Sequence, residues 1–212
     1  MKLYGYFRSS AAFRTRIALG LKGLSWENVP IHLQKGEQRA PDYLRLNPQG
    51  LVPALETDGL LLTQSLAIVE YLDETRPEPP LLPKTPAERA RVRALALAVA
   101  CEIHPLNNTR VLAYLAEPLG LDEAARTTWY RHWIAEGLGA LEQMLRTIPG
   151  TGTYCHGDRP GLADICLVPQ IFNAKRFDCD LAPYPTTMRI FDACMTLPAF
   201  DAAQPMRQPD AQ

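Results

Sequence analysis

Apolar residues recur along this chain at two spacings, and the switches between them mark the elements. Short runs at 3–7 and 26–31, rich in aromatic and β-branched residues, read as strands, and residues 10–22 between them carry apolar side chains at helical spacing. Phe13, Ile17 and Leu21 fall on one face of that helix, Arg14 and Lys22 are expected to stay in water, and Gly23 supplies the stop. A short helix follows over Pro41–Leu46, then the loop Asn47-Pro48-Gln49-Gly50. Residues 53–57 and 60–63 flank Asp58-Gly59, the strongest short hairpin signal a sequence carries. Helical spacing returns over 64–75, with Leu66, Val69 and Leu72 expected inward.

The order β-α-β-α-β-β-α is complete within residues 1–77, a size usual for a small α/β domain. Residues 78–86 are rich in proline and read as a stiff linker. Beyond it, 87–116 and 122–146 are rich in Ala and Leu at helical spacing, and 162–173 reads as a buried helix. No comparable hairpin signal appears there, so residues 87–212 are expected to form an all-α domain.

Composition narrows the possible partners. A net charge of −1 and an isoelectric point near 6.4 leave no electrostatic footprint for nucleic acid or an anionic membrane, which favours a small ligand. The five cysteines have neither a C-x-x-C pair nor zinc-finger spacing, so they read as reduced and mostly buried thiols, with no metal site expected. No run of eighteen apolar residues occurs, and Met1 leads directly into an apparent strand, so a cytoplasmic protein is expected.

Several residues carry candidate chemistry. Pro53 stands at the start of a strand, where it has no N–H for the ladder, and a cis bond from Val52 would turn the Val52 N–H and C=O toward an extended peptide ligand. Ser9 and Ser10 end a strand and open a helix, so that one hydroxyl faces a ligand while the other caps, or both only cap. Gln64 and Ser65 stand at another helix start, whose free N–H groups favour a carboxylate, although capping alone also explains them. Pro105 breaks a long helical pattern; His104 and Asn108, four apart, share a face, and a structural role is the default for a helical histidine. Arg8 and Arg176 each need a partner, either an acidic neighbour such as Asp164 or Asp178 or an anionic ligand. Asp164 reads as a structural residue at a helix start.

The chain resembles the zeta class of glutathione S-transferases in five separate stretches. These are Tyr6-Phe7-Arg8-Ser9-Ser10, Arg14-Thr15-Arg16-Ile17-Ala18-Leu19, Gln64-Ser65-Leu66-Ala67-Ile68, Ala163-Asp164 with Leu167-Val168-Pro169-Gln170, and Asn173-Ala174-Lys175-Arg176-Phe177. The resemblance implies an α/β thioredoxin-like N-terminal domain, an all-α C-terminal domain that binds substrate, a homodimer, and glutathione as cofactor. It implies that Ser9 activates the glutathione thiol, that Gln64 and Ser65 hold its γ-glutamyl carboxylate, and that Gln38 and Gln49 meet its glycyl end. Ser10, Val52, Pro53, His104 and Asn108 complete the implied glutathione site.

The implied reaction is cis-trans isomerisation of a maleyl keto acid by reversible thiolate addition, with Arg8, Arg110 and Arg176 around the dicarboxylate and Arg8, His104 and Arg176 assisting catalysis. Three departures from the class pattern bear on it. Ala11 replaces the usual cysteine, which disfavours disulfide exchange, and His104 and Arg110 stand where Gln and Ser are commoner. The added charge favours maleylpyruvate over maleylacetoacetate, although one methylene is worth only ~1–3 kcal/mol. A conjugating transferase and a non-catalytic binding module on the same fold are the alternatives.

Overall fold

A computed structural model describes residues 1–211 as two compact units, one formed by 1–81 with 195–211 and the other by 82–194. The last stretch therefore belongs with the first unit, which corrects the expectation of a single helical domain over 87–212. The first four residues of the expected linker, 78–81, also join the first unit.

Four strands form the sheet of the first unit: β1 (Lys2–Gly5), β2 (Glu27–Pro30), β3 (Ala54–Thr57) and β4 (Leu60–Thr63), in the order β2-β1-β3-β4. β1 runs parallel to β2 and antiparallel to β3. Asp58 and Gly59 turn the β3-β4 hairpin with φ of 51° and 75°, the left-handed pair that a two-residue hairpin needs. The Val52-Pro53 bond is cis, as is Glu78-Pro79, and β3 starts only at Ala54 because Pro53 has no N–H to give the ladder.

Helices α1 (Ser10–Leu21), α2 (Pro41–Leu46) and α3 (Ser65–Thr75) accompany the sheet. α1 is buried on nearly every side, which overturns the expectation that Arg14 and Lys22 stay wet. Arg14 is 3% exposed, and the Lys22 side chain is inaccessible. Lys22 Nζ donates to Asp73 Oδ1 at 2.7 Å, to the Arg76 carbonyl at 2.7 Å and to the Pro79 carbonyl at 2.6 Å. Asp73 Oδ1 also accepts the Leu81 N–H at 2.7 Å, so one buried ion pair ties the ends of α1 and α3 to the segment after them. On α3, Ile68, Val69 and Leu72 are buried and Leu66 is only half-buried.

The second unit contains α4 (Pro86–Leu97), α5 (Thr109–Ala116), α6 (Glu123–Thr147), α7 (Leu162–Arg176) and most of α8 (Pro185–Met195); α9 (Pro198–Ala202) lies in the first unit. α4 opens with a capping box in which the Glu88 N–H donates to Thr85 Oγ1 and the Thr85 N–H to Glu88 Oε2. It continues as a π-helical stretch over Ala98–Ile103 and a 3-10 turn over His104–Asn107, so the single kink expected at Pro105 is a change of helix type followed by a new start. Gly137 of α6 allows that stretch to approach, since a Cβ there would lie 2.2 Å from Ile103 Cγ1, and Ile103 is itself buried. α8, absent from the sequence reading, begins under Glu142 of α6, whose carboxylate accepts the Thr186 N–H at 3.1 Å and the Thr187 N–H at 2.8 Å. Asp164 accepts the Gly161 N–H at 2.9 Å and the Cys155 N–H at 2.8 Å, the structural role expected of it. Of the five thiols, Cys155, Cys166 and Cys194 are buried, whereas Cys101 is exposed.

Replacing Gly137 with Ala should destabilise the protein by about 1–3 kcal/mol, read from urea unfolding, because the added Cβ would overlap the buried Ile103 side chain. For Glu142, burial pushes the carboxyl pKa up, but the bonds from Thr187 and Thr186 outweigh it and the net shift is downward. A depressed folded pKa gives stability that is present above the unfolded value and lost as pH falls through the folded one. Glu142→Gln should thus cost ~1–3 kcal/mol at neutral pH, with the gap to the parent protein narrowing below about pH 4. A gap that stays constant down to acid unfolding would contradict this.

Candidate functional site

In the first unit the candidate residues gather where α1 and α3 begin and where the loop before β3 runs. Ser9 is the N-cap of α1: its N–H donates to the Tyr6 carbonyl at 2.9 Å and its Oγ accepts the Ala12 N–H at 3.2 Å. Capping therefore falls to Ser9, not to a neighbour, but the two roles do not compete. A hydroxyl that accepts from the helix keeps its own proton to donate, and that acceptance makes it a better donor. No acidic residue sits in the first turn to offset the positive helix end. Ser10 is the first helical residue and is buried.

Gln64 precedes α3 with φ 69° and ψ 113°, a region that a residue with a Cβ rarely adopts. Its Nε2 donates to Gln49 Oε1 at 2.8 Å, so the structure joins two of the candidate residues directly. Ser65, buried at the first turn of α3, lies 3.5 Å from Arg14 Nη1. Arg14 thus reaches from α1 to the start of α3. Sequence reasoning missed it, and the available signal was a pair of cations, Arg14 and Arg16, about one turn inside a helix whose other residues are mostly apolar and small.

The loop before β3 is held from within. Tyr43 Oη and Asn47 Nδ2 both donate to the Leu51 carbonyl, at 2.6 and 2.8 Å, and Asn47 Oδ1 accepts the Gln49 N–H at 3.1 Å. The Val52 side chain packs with Tyr6, Phe7 and Tyr43, and no described residue bonds the Val52 N–H or C=O. Gly50, at φ 61°, is needed twice, because a Cβ there would also lie 3.0 Å from the Gln38 carbonyl. That close approach places Gln38 beside the loop, with its Oε1 buried and without a partner.

The second unit holds the remaining candidates. His104 begins the 3-10 turn, and its Nε2 lies 3.4 Å from Asn108 Nδ2. The two do not share one helix face: Asn108 is extended and caps α5, its Oδ1 accepting the Arg110 N–H at 3.1 Å. Trp129 Nε1 donates to the Leu106 carbonyl at 2.8 Å and Asn107 Nδ2 to that of Tyr130 at 3.4 Å, which fastens the turn to α6. The Tyr130 ring stacks on Phe177 at 3.7 Å, and the Arg176 guanidinium lies 5.0 Å from the Phe177 ring. Burial pushes the Tyr130 phenol pKa up, so it stays protonated.

Arg8, Arg110 and Arg176 are exposed, and none forms an ion pair among the described residues. The suggested partners, Asp164 and Asp178, are not used. Arg176 suits the negative C-terminal end of α7, whereas Arg110 stands in the first turn of α5, where the dipole disfavours a cation unless an anion accompanies it.

Residues 1–74 match the family of glutathione S-transferase N-terminal domains. A probable maleylacetoacetate isomerase of Vibrio cholerae is 52% identical over 99% of this chain and 97% of its own. The holo structure of a bacterial maleylpyruvate isomerase of the zeta class has a TM-score of 0.98 and 48% identity, covering 100% of both chains. The structure of a Methylobacterium extorquens maleylacetoacetate isomerase with bound malonate and glutathione has a TM-score of 0.97 and 47% identity, again over 100% of both chains. With whole-length identity near one half and superposable folds, the chain belongs to the zeta class of the glutathione S-transferase family.

Proposed function

We propose that this chain is a glutathione-dependent cis-trans isomerase of a maleyl keto acid, with maleylpyruvate favoured over maleylacetoacetate. The observation that carries the reading is the Ser9 hydroxyl, engaged by the Ala12 N–H as an acceptor and so left with a proton to donate. Relatives named for maleylacetoacetate reach 52–53% identity and one named for maleylpyruvate 49%, so similarity does not favour maleylpyruvate and the preference rests on His104 and Arg110 alone.

The residues fit a glutathione ligand. Val52 offers an unpaired N–H and C=O for its backbone, and the start of α3 at Gln64-Ser65 offers N–H groups for its γ-glutamyl carboxylate. Gln38 and Gln49 would meet its glycyl carboxylate through their side-chain amide N–H groups. Bound glutathione supplies a thiolate that adds reversibly to a conjugated double bond and is regenerated when the trans isomer leaves.

Ser9 would lower the pKa of that thiol from about 8.5 by donating to its charged form, helped by the α1 N-terminus. Ala11 offers no second thiol, so the sulfur is not diverted into a disulfide with the protein. Arg8, Arg110 and Arg176 would bind the two carboxylates and the negative charge that develops on the keto oxygen, and His104 stands ready to move a proton. In this reading the first unit binds glutathione and supplies Arg8, and the helical unit supplies Arg110, Arg176 and His104. The chain works as a cytoplasmic homodimer; the exposed Leu60 and Leu61 on edge strand β4, at 48% and 37%, favour an interface there.

Ser9→Ala should lower kcat by about 10²–10³-fold, followed by ultraviolet absorbance of maleylpyruvate with catalytic glutathione. An unchanged kcat would remove Ser9 from the chemistry. Arg110→Ser should raise KM for maleylpyruvate by about tenfold and for maleylacetoacetate by less. Stable conjugates and consumed glutathione would identify a conjugating transferase.

A further inference from the structure

Phe7 lies between the end of β1 at Gly5 and the Ser9 cap of α1, where neither ladder nor helix serves its backbone. Charged side chains serve it instead. The Phe7 N–H donates to Asp210 Oδ2 at 3.0 Å, and the Phe7 carbonyl accepts from Arg16 Nη2 at 3.0 Å. Arg16, 2% exposed, also donates through Nε to the Ala203 carbonyl at 3.0 Å, and Asp210 Oδ1 accepts from Asn28 Nδ2 at 3.3 Å. Asp210 thus bonds Phe7 directly and Ala203 holds the arginine that does, with Phe7 two positions before Ser9. Ala211 then packs on the cluster of Tyr6, Phe7, Tyr43 and Val52, which carries the backbone groups offered to glutathione.

Holding both the N–H and the C=O of one residue fixes the peptide planes on either side of it. With the Ser9 N–H bonded to the Tyr6 carbonyl as well, the direction in which Ser9 leaves the strand is set by three bonds, two of them to charged groups. Charge-assisted bonds are roughly twice as strong as neutral ones. Burial lowers the Arg16 pKa to about 10 even though the nearby Asp210 carboxylate opposes the fall, so Asp210 helps keep the buried guanidinium charged.

We propose that Asp210 and Arg16 are positioning residues for Ser9: a carboxylate and a guanidinium clamp the Phe7 peptide groups and thereby aim the Ser9 hydroxyl. This rests on the reading of Ser9 as the group that donates to the thiolate. An error near 1 Å in such a placement costs up to about a hundredfold in rate.

The test uses the full chain with Asp210→Ala, Asp210→Asn and Ser9→Ala. The readouts are thiolate absorbance of bound glutathione against pH, affinity for S-methylglutathione, kcat and KM, and hydrogen exchange at the Phe7 amide without ligand. Asp210→Ala should lower kcat about tenfold or more with KM little changed. It should also move the thiolate titration upward, speed Phe7 exchange about tenfold or more and leave S-methylglutathione affinity within about twofold. Asp210→Asn keeps an acceptor for Phe7 but not the charge and should recover only part of the loss; if Asp210→Ala does not fold, the residual upward shift of the titration in Asp210→Asn decides in its place. A parental titration and kcat in the decisive Asp210 variant, with Ser9→Ala shifted, overturns the positioning role and leaves Ser9 standing. An unshifted Ser9→Ala titration removes the Ser9 reading and this proposal with it.

Discussion

Burying an ammonium group without compensation costs several kcal/mol, and Lys22 is buried. Its three acceptors come from the end of α3 and the segment that follows it, and its carboxylate partner Asp73 accepts one further N–H from Leu81. Each donor and acceptor in this set is met, so the charge is tolerated, and the chain between Asp73 and Leu81 is left with little freedom. The extent of the first unit follows from this pair: 1–81 stay together because the last of them are bonded to the hub between α1 and α3.

α1 is the axis on which the candidate glutathione site is built. Its start carries Ser9 and its middle carries Arg14 and Arg16, which reach Ser65 and the Phe7 and Ala203 carbonyls. A helix buried on most sides with cations along its length is a poor packing element by hydrophobicity alone. What those side chains gain is reach, since a guanidinium spans from the helix to a second element and meets carbonyls that no apolar side chain can satisfy. The positive φ of Gln64 is a local cost of the same kind, accepted where Gln64 and Gln49 are brought together.

The helical unit is organised around a discontinuity. A π-helical stretch and a 3-10 turn replace regular helix over 98–107, where the Leu106 carbonyl accepts from Trp129 and the Asn107 side chain donates to the Tyr130 carbonyl. This break sets His104 beside the cap of α5 and places Arg110 at the dipole end that suits an anion. Departures from regular helix are common at functional sites because they free side chains from the helical phase.

Local sequence determined much of the first unit by itself. Asp58-Gly59 has one good solution between two apolar runs, Pro53 excludes its own N–H from the ladder, Ser9 caps where a strand ends, and Pro41–Leu46 forms the helix its spacing indicates. These depend on contacts only a few residues apart. The fates of Arg14 and Lys22, the return of 195–211 to the first unit, the change of helix type before His104 and the start of α8 beneath Glu142 were decided only in the tertiary structure. Each depends on a partner far along the chain, such as Asp73 for Lys22 or Ile103 against Gly137, and periodicity records which face is apolar, not whether a distant carboxylate or carbonyl will meet a charge placed among apolar neighbours.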